Sequence, residues 1–279
     1  MKNVTLATAA LLALAAVPAG AADMPLKAPV KAPVVLDPWT GFYVGGNAGY
    51  SWGNWDSTSA SFNFPTGAGV TSTTLAGVGA AARADFTNTA SPNVKGWVAG
   101  GQFGVNKLYG SWLVGLETDI QATGERAHLD GSALIGNFTG NVVATETVSQ
   151  LNSWKLPWFA TFRGRVGAVY ADTWLFYVTG GLAVGRAEYS NTVSAALVTT
   201  APVASTNVFN AMFEEGVTKP GVAVGAGIEK AIDAHWRAKV EYLFTDYGEH
   251  TFLFGTGADT TVLLRDNIVR LGINYRFLP

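Results

Sequence analysis

The stretch Arg270-Leu-Gly-Ile-Asn-Tyr-Arg-Phe277 decides the fold of this chain. Apolar and polar residues alternate through it, and the alternation begins one residue earlier, at Val269. Side chains that alternate with a period of two point to opposite faces of a β-strand. The stretch therefore predicts a strand with one apolar face and one face that carries Arg270, Asn274 and Arg276.

The same period of two predicts seven earlier strands. The first has its apolar face between Phe42 and Trp52, and the others are Val94–Leu108, Trp112–Ala122, Trp158–Tyr170, Trp174–Gly185, Gly221–Ala231 and Trp236–Thr245, before the last at Asn267–Phe277. Tight turns at residues 109–111, 171–173 and 233–235 alternate with long polar stretches, among them 51–93 and 121–153. This alternation is typical of outer-membrane barrels. We predict an all-β fold: an eight-stranded antiparallel transmembrane β-barrel with short periplasmic turns and long external loops.

Composition supports a membrane barrel over a soluble domain. Charged residues make up only 14% of the chain, which has no cysteine but has 33 Gly, 9 Trp, 9 Tyr and 15 Phe. A soluble domain carries about 25% charged residues. A hydrophobic chain that lacks a helical span fits a barrel, whose apolar surface is hidden in an alternating pattern. The alternative is a soluble β-sandwich with aromatic edges.

The beginning of the chain predicts export. Lys2 precedes an apolar run from Val4 to Val17 and a small-residue site at 19–21, so residues 1–21 are expected to be a signal peptide cleaved after Ala21. The run is too short for a transmembrane helix, which needs about 20 apolar residues. Residues 22–38 contain four prolines and are expected to form a periplasmic linker, or else a contact with the cell wall. Residues 39–279 then form the barrel.

The charge after cleavage excludes one class of partner. Loss of Lys2 leaves 17 basic and 20 acidic residues from the 18 and 20 of the whole chain, a net charge of −3. Bulk attraction to nucleic acid is therefore not expected. The oligomeric state does not follow from the sequence.

Aromatic residues cluster at both ends of the predicted strands, as the two aromatic belts of a membrane protein require. Those near the short turns are Trp39, Phe42, Tyr109, Trp112, Tyr170, Trp174, Trp236, Tyr275 and Phe277. Those near the long connections are Tyr50, Trp52, Trp97, Trp158, Tyr189, Tyr242, Phe244 and Tyr247.

The polar faces predict a charged lumen. Its expected members are Glu117, Asp119, Arg163, Arg165, Glu229, Arg237, Lys239, Glu241, Arg270 and Arg276. An eight-stranded barrel is just wide enough for side chains to fill its interior, so opposite charges can pair across it. A structural plug is the favoured interpretation, and a proton- or ion-conducting lumen is the alternative.

Several motifs resemble known outer-membrane proteins. Arg270, Gly272, Tyr275 and Phe277 match the C-terminal signal of the barrel-assembly machinery, although Leu278 and Pro279 follow the aromatic residue on which such chains usually end. Residues 39–50, 176–183 and 240–243 resemble strands of the small opacity-type, outer-membrane-protein-A-like barrels of alphaproteobacteria. The resemblance implies a surface antigen with a structural or porin-like role, and envelope integrity, adhesion or haemin binding in some members.

No pattern indicates catalysis. His128 and His250 fall in predicted external loops and His235 at a predicted turn, without metal-site spacing. The two external histidines could meet and offer ligands to haem, but two solvated loop residues are the favoured interpretation. We expect no enzyme, no cofactor and no metal. The expected function is a structural surface barrel that contributes to envelope integrity. The alternatives are loop-mediated binding of a host surface, phage or haemin, and a small-solute porin. Expected partners are outer-membrane lipid, lipopolysaccharide and the assembly machinery.

Overall fold

A computed structural model describes residues 37–58, 93–138, 143–201, 205–254 and 258–277. The predicted signal peptide, its cleavage site and residues 22–36 of the predicted linker lie outside the described residues. Within the described ranges no helix is long and apolar enough to cross a membrane.

The described strands form one antiparallel sheet that closes into a ring. They are β1 (Gly41–Asn54), β2 (Asp56–Thr58), β3 (Asn93–Tyr109), β4 (Trp112–Phe138), β5 (Val143–Tyr170), β6 (Trp174–Ala201), β7 (Ser205–Ala231), β8 (Trp236–Phe254) and β9 (Ala258–Arg276). Eight long strands follow each other around the ring, β9 pairs with β1, and the short β2 pairs with β9. The predicted eight-stranded barrel is confirmed.

The predicted alternation of faces is also confirmed. Outward side chains such as Trp97 and Leu271 are 55% and 62% exposed, whereas the inward Arg163 and Arg270 are fully buried. Apolar residues thus cover the outside of the barrel and polar residues fill its middle, the reverse of a soluble protein. Hydrocarbon on the outside is the environment that such a surface requires.

Short connections define one end of the barrel, which we call the turn end. Tyr109 and Trp112 pair directly across Gly110 and Ser111, and Tyr170 pairs with Trp174. Gly110, Ala171 and Asp172 have φ angles of 62°, 49° and 57°, in the left-handed region that tight turns between twisted strands favour. These turns lie where the sequence predicts them.

The opposite end, which we call the hairpin end, differs from the prediction. Residues 121–153 are predicted as a loop, but β4 continues to Phe138 and β5 begins at Val143. Strands β6 and β7 likewise extend through most of the region between Gly185 and Gly221. His128 and His250 therefore lie on strands β4 and β8, not in loops. Of the predicted loop 51–93, residues 59–92 lie outside the described residues.

An inward apolar core explains these extensions. At the hairpin end, the inward side chains form a cluster that includes Trp55, Trp154, Phe159, Tyr189 and Phe252, all at most 2% exposed. The ring of Tyr189 packs between Trp154 and Phe252, with centroids 5.2 and 5.5 Å away. Burial of such large side chains stabilises strands well beyond the part that faces lipid.

A smaller apolar cluster closes the turn end. It consists of Trp39, Leu113, Leu175, Tyr177 and Ala231. Trp39 is fully buried, so its predicted place in the lipid-facing belt is wrong. The same correction applies to Tyr189 and Tyr247, which point inward at the hairpin end. Strand alternation decides this for Tyr189 and Tyr247, because an aromatic residue on the inward parity packs into the core whatever its height. Trp39 precedes β1, and its indole reaches the carbonyl of Asp172 across the mouth of the barrel.

Candidate functional site

The charged residues lie between the two apolar clusters, in the middle of the lumen. They come from inward positions of β4, β5, β7, β8 and β9, where the period of two aims every second side chain at the barrel axis. Each side chain of this group is at most 4% exposed. The lumen charge network, as we call it, consists of Glu117, Asp119, Arg163, Arg165, Glu229, Arg237, Lys239, Glu241 and Arg270.

Arg163 joins carboxylates from two sides of the barrel. Its Nη2 lies 2.7 Å from both Glu117 Oε1 and Asp119 Oδ2, and its Nη1 lies 3.2 Å from Glu241 Oε1. Its Nε donates to the hydroxyl of Thr161, which in turn donates to Asp119. The planar guanidinium is fixed in all directions by these bonds.

Arg270 and Lys239 complete the neutralisation of the same carboxylates. Arg270 Nη2 lies 2.5 Å from Glu241 Oε2 and 3.0 Å from Asp119 Oδ2. Lys239 Nζ lies 3.0 Å from Glu117 Oε1 and 3.8 Å from Glu241 Oε2. Every carboxylate in this part of the network therefore contacts at least two cations, as buried charges require.

Arg165 extends the network towards the turn end. Its Nη2 lies 2.8 Å from Glu229 and its Nη1 lies 3.3 Å from Glu117. The guanidinium sits 5.3 and 4.7 Å from the ring centres of Tyr43 and Tyr177. The hydroxyls of these tyrosines donate to Glu117 and Glu241. Tyr177, a member of the turn-end cluster, thus connects that cluster with the ionic layer.

Arg237 is the least paired cation of the network. Its Nε lies 3.6 Å from Glu229, and its guanidinium stands 4.9 Å from the ring centre of Tyr43 and 5.7 Å from that of Trp39. No guanidinium nitrogen of Arg237 has a hydrogen-bond partner among the described residues. The network holds five cations and four carboxylates, and aromatic faces supply the remaining stabilisation at Arg237.

Arg276 is predicted as a member of the network, but the structure places it elsewhere. Its Nη1 donates to the backbone carbonyls of Asp37 and Thr40 at 2.6 and 2.8 Å, and its Nε donates to that of Ala234. Arg276 therefore holds the segment before β1 against the turn end. The parity of Arg276 is inward as predicted, but its height puts it at the mouth of the lumen.

The segment that Arg276 holds crosses the mouth of the barrel. The indole of Trp39 donates to the carbonyl of Asp172, in the β5–β6 turn on the side of the ring opposite β1. The carboxylate of Asp37 accepts from the backbone N–H of Trp39 and Thr40. Partial burial tends to raise the pKa of Asp37, but hydrogen bonds from Thr40 and Trp39, together with Arg276, outweigh burial and hold that pKa below its ordinary value.

Two glycines give the cations room. A Cβ at Gly49 would lie 2.8 Å from the Cβ of Arg270, and a Cβ at Gly181 would lie 2.7 Å from the Cα of Arg163. Both positions face inward beside a long side chain that occupies the space. Glycine at these positions therefore lets the backbone of the paired strand approach closely where it carries the arginine.

A second buried acidic pair lies at the hairpin end, and the sequence analysis missed it. Glu125 and Asp266 are 1% and 0% exposed and close enough for their charges to interact. The indole of Trp55 donates to Asp266 at 3.2 Å, and the hydroxyl of Ser51 lies beside Glu125. Neither carboxylate has an ion-pair partner in the described part of the chain. The inward parity of both residues could have revealed the pair. Position 125 falls within a predicted loop, however, where strand parity is not assigned.

Among the described residues, the lumen arrangement offers charge pairing. No cluster of three or more His, Asp or Glu among the described residues is suited to hold a metal ion. His128 faces outward on β4, and His250 lies on β8, on the other side of the ring, with its Nε2 3.8 Å from Glu215. The structure therefore does not bring the two histidines together, and the alternative that they jointly offer ligands to haem is not supported by their positions.

Comparison with known proteins identifies the protein family of this chain. Residues 7–277 match the family described as outer membrane protein beta-barrel domain. The chain belongs to this family. It is an outer-membrane protein, so the turn end is the periplasmic end and the hairpin end is the external end. The predicted resemblance to alphaproteobacterial barrels is confirmed by the relatives that follow.

Two curated relatives cover most of this outer-membrane barrel. The 31 kDa outer-membrane immunogenic protein of Brucella melitensis is 30% identical over 279 residues, 99% of this chain and 100% of the relative. The 22 kDa outer membrane protein of Rhizobium leguminosarum is 25% identical over 253 residues, 90% of this chain and 82% of the relative. Among solved structures, OprG of Pseudomonas aeruginosa is 11% identical with a TM-score of 0.42, covering 86% of this chain and 98% of OprG.

The predicted assembly signal forms part of the lipid-facing wall near the periplasm. Phe277 is 49% exposed on the outward face, and its ring packs edge-on against Tyr275 at 5.4 Å. Tyr275 also contacts Trp236 at 5.0 Å. Gly272 lies beside Lys239, and Arg270 belongs to the network. Recognition of these residues by an assembly machinery stays a prediction.

Proposed function

We propose that this outer-membrane barrel is a closed structural component of the cell envelope, and that its lumen serves as a rigid internal brace and not as a pore. The observation that carries the proposal is the layered filling of the lumen. An apolar cluster lies at each end, and the charge network lies between them.

The contacts inside the lumen oppose the passage of an ion. A permeating ion would have to replace short ion pairs, such as the 2.7 Å contact between Arg163 and Asp119, inside a region shielded from water. It would then have to pass apolar side chains at both ends, and dewetted constrictions of this kind close channels. The same contacts tie opposite walls of the barrel together and thereby resist deformation.

A deletion strain tests the proposed role. We expect loss of the gene to increase sensitivity to detergents and uptake of a hydrophobic dye, while uptake of small hydrophilic solutes stays unchanged. Expression of the full chain should restore the barrier. The variant Glu117→Gln, which weakens the network, should restore it less well than Met212→Glu, which changes only an exposed external residue. Reduced uptake of hydrophilic solutes with an intact barrier would instead support the small-solute porin.

A second candidate, binding through the external part, is favoured by exposed apolar residues beyond the membrane. Leu151 and Met212 are 44% and 63% exposed, and both lie directly opposite Thr192, one on each neighbouring strand. Apolar side chains that face water together are typical of interaction surfaces. Adhesion to a host surface or phage is consistent with this surface, whereas haemin binding by His128 and His250 together is not supported by their positions. Met212→Glu should abolish such binding if this candidate is correct, with Lys107→Gln as the control.

A further inference from the structure

Three cations stand in one row across neighbouring strands of the external end. Lys95 on β3 is paired in register with Arg126 on β4, and Arg126 is paired with Lys155 on β5. All three side chains are exposed on the outward face of the barrel. Residues directly opposite each other on antiparallel strands have Cβ atoms about 4.5–5.5 Å apart, where like charges repel. We call Lys95, Arg126 and Lys155 the basic row.

The basic row lies just beyond the surface that faces hydrocarbon. On β1, Trp52 is paired with Lys95, and on β3 the exposed Trp97 lies two residues closer to the membrane on the same face. The indole of Trp97 covers Gly124 on β4, since a Cβ at Gly124 would overlap it. Arg126 follows Gly124 on that face. Tryptophan marks the head-group level of a bilayer, so the row stands at that level or immediately above it.

On β6, β8 and β9, the first outward charged residues beyond the membrane form ion pairs. On β6, Arg186 and Glu188 form an ion pair of 2.8 Å, and across β8 and β9, Asp246 and Arg265 form one of 2.7 Å. No member of the basic row has an ion-pair partner among the described residues. Lys155 is paired in register with Glu188, but the carboxylate of Glu188 is engaged by Arg186. Among the described cations that face outward at the external end, those without an ion-pair partner therefore lie on β3, β4 and β5.

We propose that Lys95, Arg126 and Lys155 form a binding site for the anionic head groups of lipopolysaccharide in the external leaflet. Phosphate or uronate groups at this level are the counter-ions that a repelling row of cations requires, and a guanidinium flanked by two ammonium groups matches them in charge and geometry. The aromatic rings of Trp52 and Trp97 would contact the sugar and upper acyl region of the same lipid. A cleft of about 200 Å³ is lined by Lys155 and Arg186 together with Glu188, Glu214 and Glu215. Because carboxylates outnumber cations there, the anion site ends at Lys155.

Titration with diphosphoryl lipid A tests the site. Full chain refolded in zwitterionic micelles is titrated while tryptophan fluorescence reports binding. The triple variant K95Q/R126Q/K155Q should bind lipid A about a hundredfold more weakly, since each basic residue near an anionic surface contributes a factor of about five in affinity. The double variant K95Q/K155Q should show an intermediate loss, and R126K should retain most of the affinity.

A charge-matched control separates this site from general attraction. Lys107 and Lys230 are exposed on the outward face near the periplasmic turns, so K107Q/K230Q removes as much charge as K95Q/K155Q at the other end of the barrel. We expect K107Q/K230Q to keep wild-type affinity, and dephosphorylated lipid A to bind wild type weakly. Equal losses in both double variants, unchanged binding by the triple variant, or equal binding of the dephosphorylated lipid would each overturn the proposal. Competition by inorganic phosphate as strong as that by lipid A would overturn the assignment to a membrane lipid.

Discussion

Two buried glutamates of β4, Glu117 and Glu125, have opposite electrostatic surroundings. Glu117 lies within 3.3 Å of cationic nitrogens from Arg163, Arg165 and Lys239. Glu125 is equally buried, but its charged neighbour is another carboxylate, Asp266. A buried charge is tolerated when it is paired and costly when it is not. The two residues therefore make opposite contributions to stability, although both are inward glutamates of the same strand.

Replacement of these glutamates by glutamine tests the difference. Glu125→Gln should raise the free energy of unfolding by about 1 kcal/mol or more, because it removes an unpaired buried acid next to Asp266. Glu117→Gln should lower it by about 3 kcal/mol, because three cations lose a shared partner. Urea titration of the protein in lipid vesicles, followed by tryptophan fluorescence, measures both changes. A loss of stability in Glu125→Gln would show that the acidic pair is neutralised by a partner and contradict this account.

Asp37 provides a test by pH at the periplasmic mouth. Its pKa is held below the ordinary value when the chain is folded, so its hydrogen bonds to Trp39 and Thr40 stabilise the fold at pH values above about 4, where the unfolded chain is also ionised. This contribution should disappear as the pH falls through the lower, folded pKa. The stability difference between wild type and Asp37→Ala should accordingly shrink in acid. A difference that grows as the pH falls would contradict the assigned hydrogen bonds.

Period-two alternation predicts which residues enter the lumen, but not at what height they lie. The inward parity of Arg163, Glu241 and Arg276 follows directly from their strands. Whether an inward cation meets a carboxylate depends on the register between strands, and one sequence without its pairing partners does not contain that register. For this reason Arg276 was predicted beside the carboxylates, although it binds backbone carbonyls at the mouth.

At the scale of elements, the extended strands of the external end are the main departure from the sequence-based prediction. Polar, Thr- and Ser-rich segments suggested loops, yet β5 and β6 remain paired from Tyr170 and Trp174 out to Val143 and Ala201. The residues that favour these longer strands lie on the inward face, where Trp154 and Tyr189 supply an apolar core. The outward face lies in water there, so the apolar-out pattern that marks the membrane-spanning part of each strand fades.

Hydrogen exchange distinguishes strands from loops in this region. Amides of residues 188–192 on β6 are paired with both β5 and β7, so they should exchange slowly in protein refolded into vesicles. Residues 205–221 of β7 are paired with β6 only, because the described ladder to β8 begins at Val222, and their amides should exchange in part more quickly. Mass spectrometry of peptides resolves the two segments. Rapid exchange throughout 188–192 would restore the loop interpretation.

At the scale of the whole molecule, the barrel combines three layers that were only partly foreseeable. Strand number, closure, orientation and the charged middle layer follow from alternation and from the order of short and long connections. The two apolar clusters do not follow from the sequence. Trp39 and Tyr189 lie at the ends of predicted strands, where aromatic residues are expected to form the membrane belts. Their inward positions turn a charged lumen into one that is closed at both ends, and this closure is the basis of the proposed structural role.

Single-channel recording of the refolded full chain in planar bilayers tests this closure most directly, with a general porin recorded in the same bilayers as the positive control. The layered lumen predicts no stable conductance step for wild type over a broad range of voltage and salt, because an ion has to displace the pairs of Arg163 and cross both apolar clusters. Stable, ohmic openings that recur in independent insertions would contradict the closed barrel.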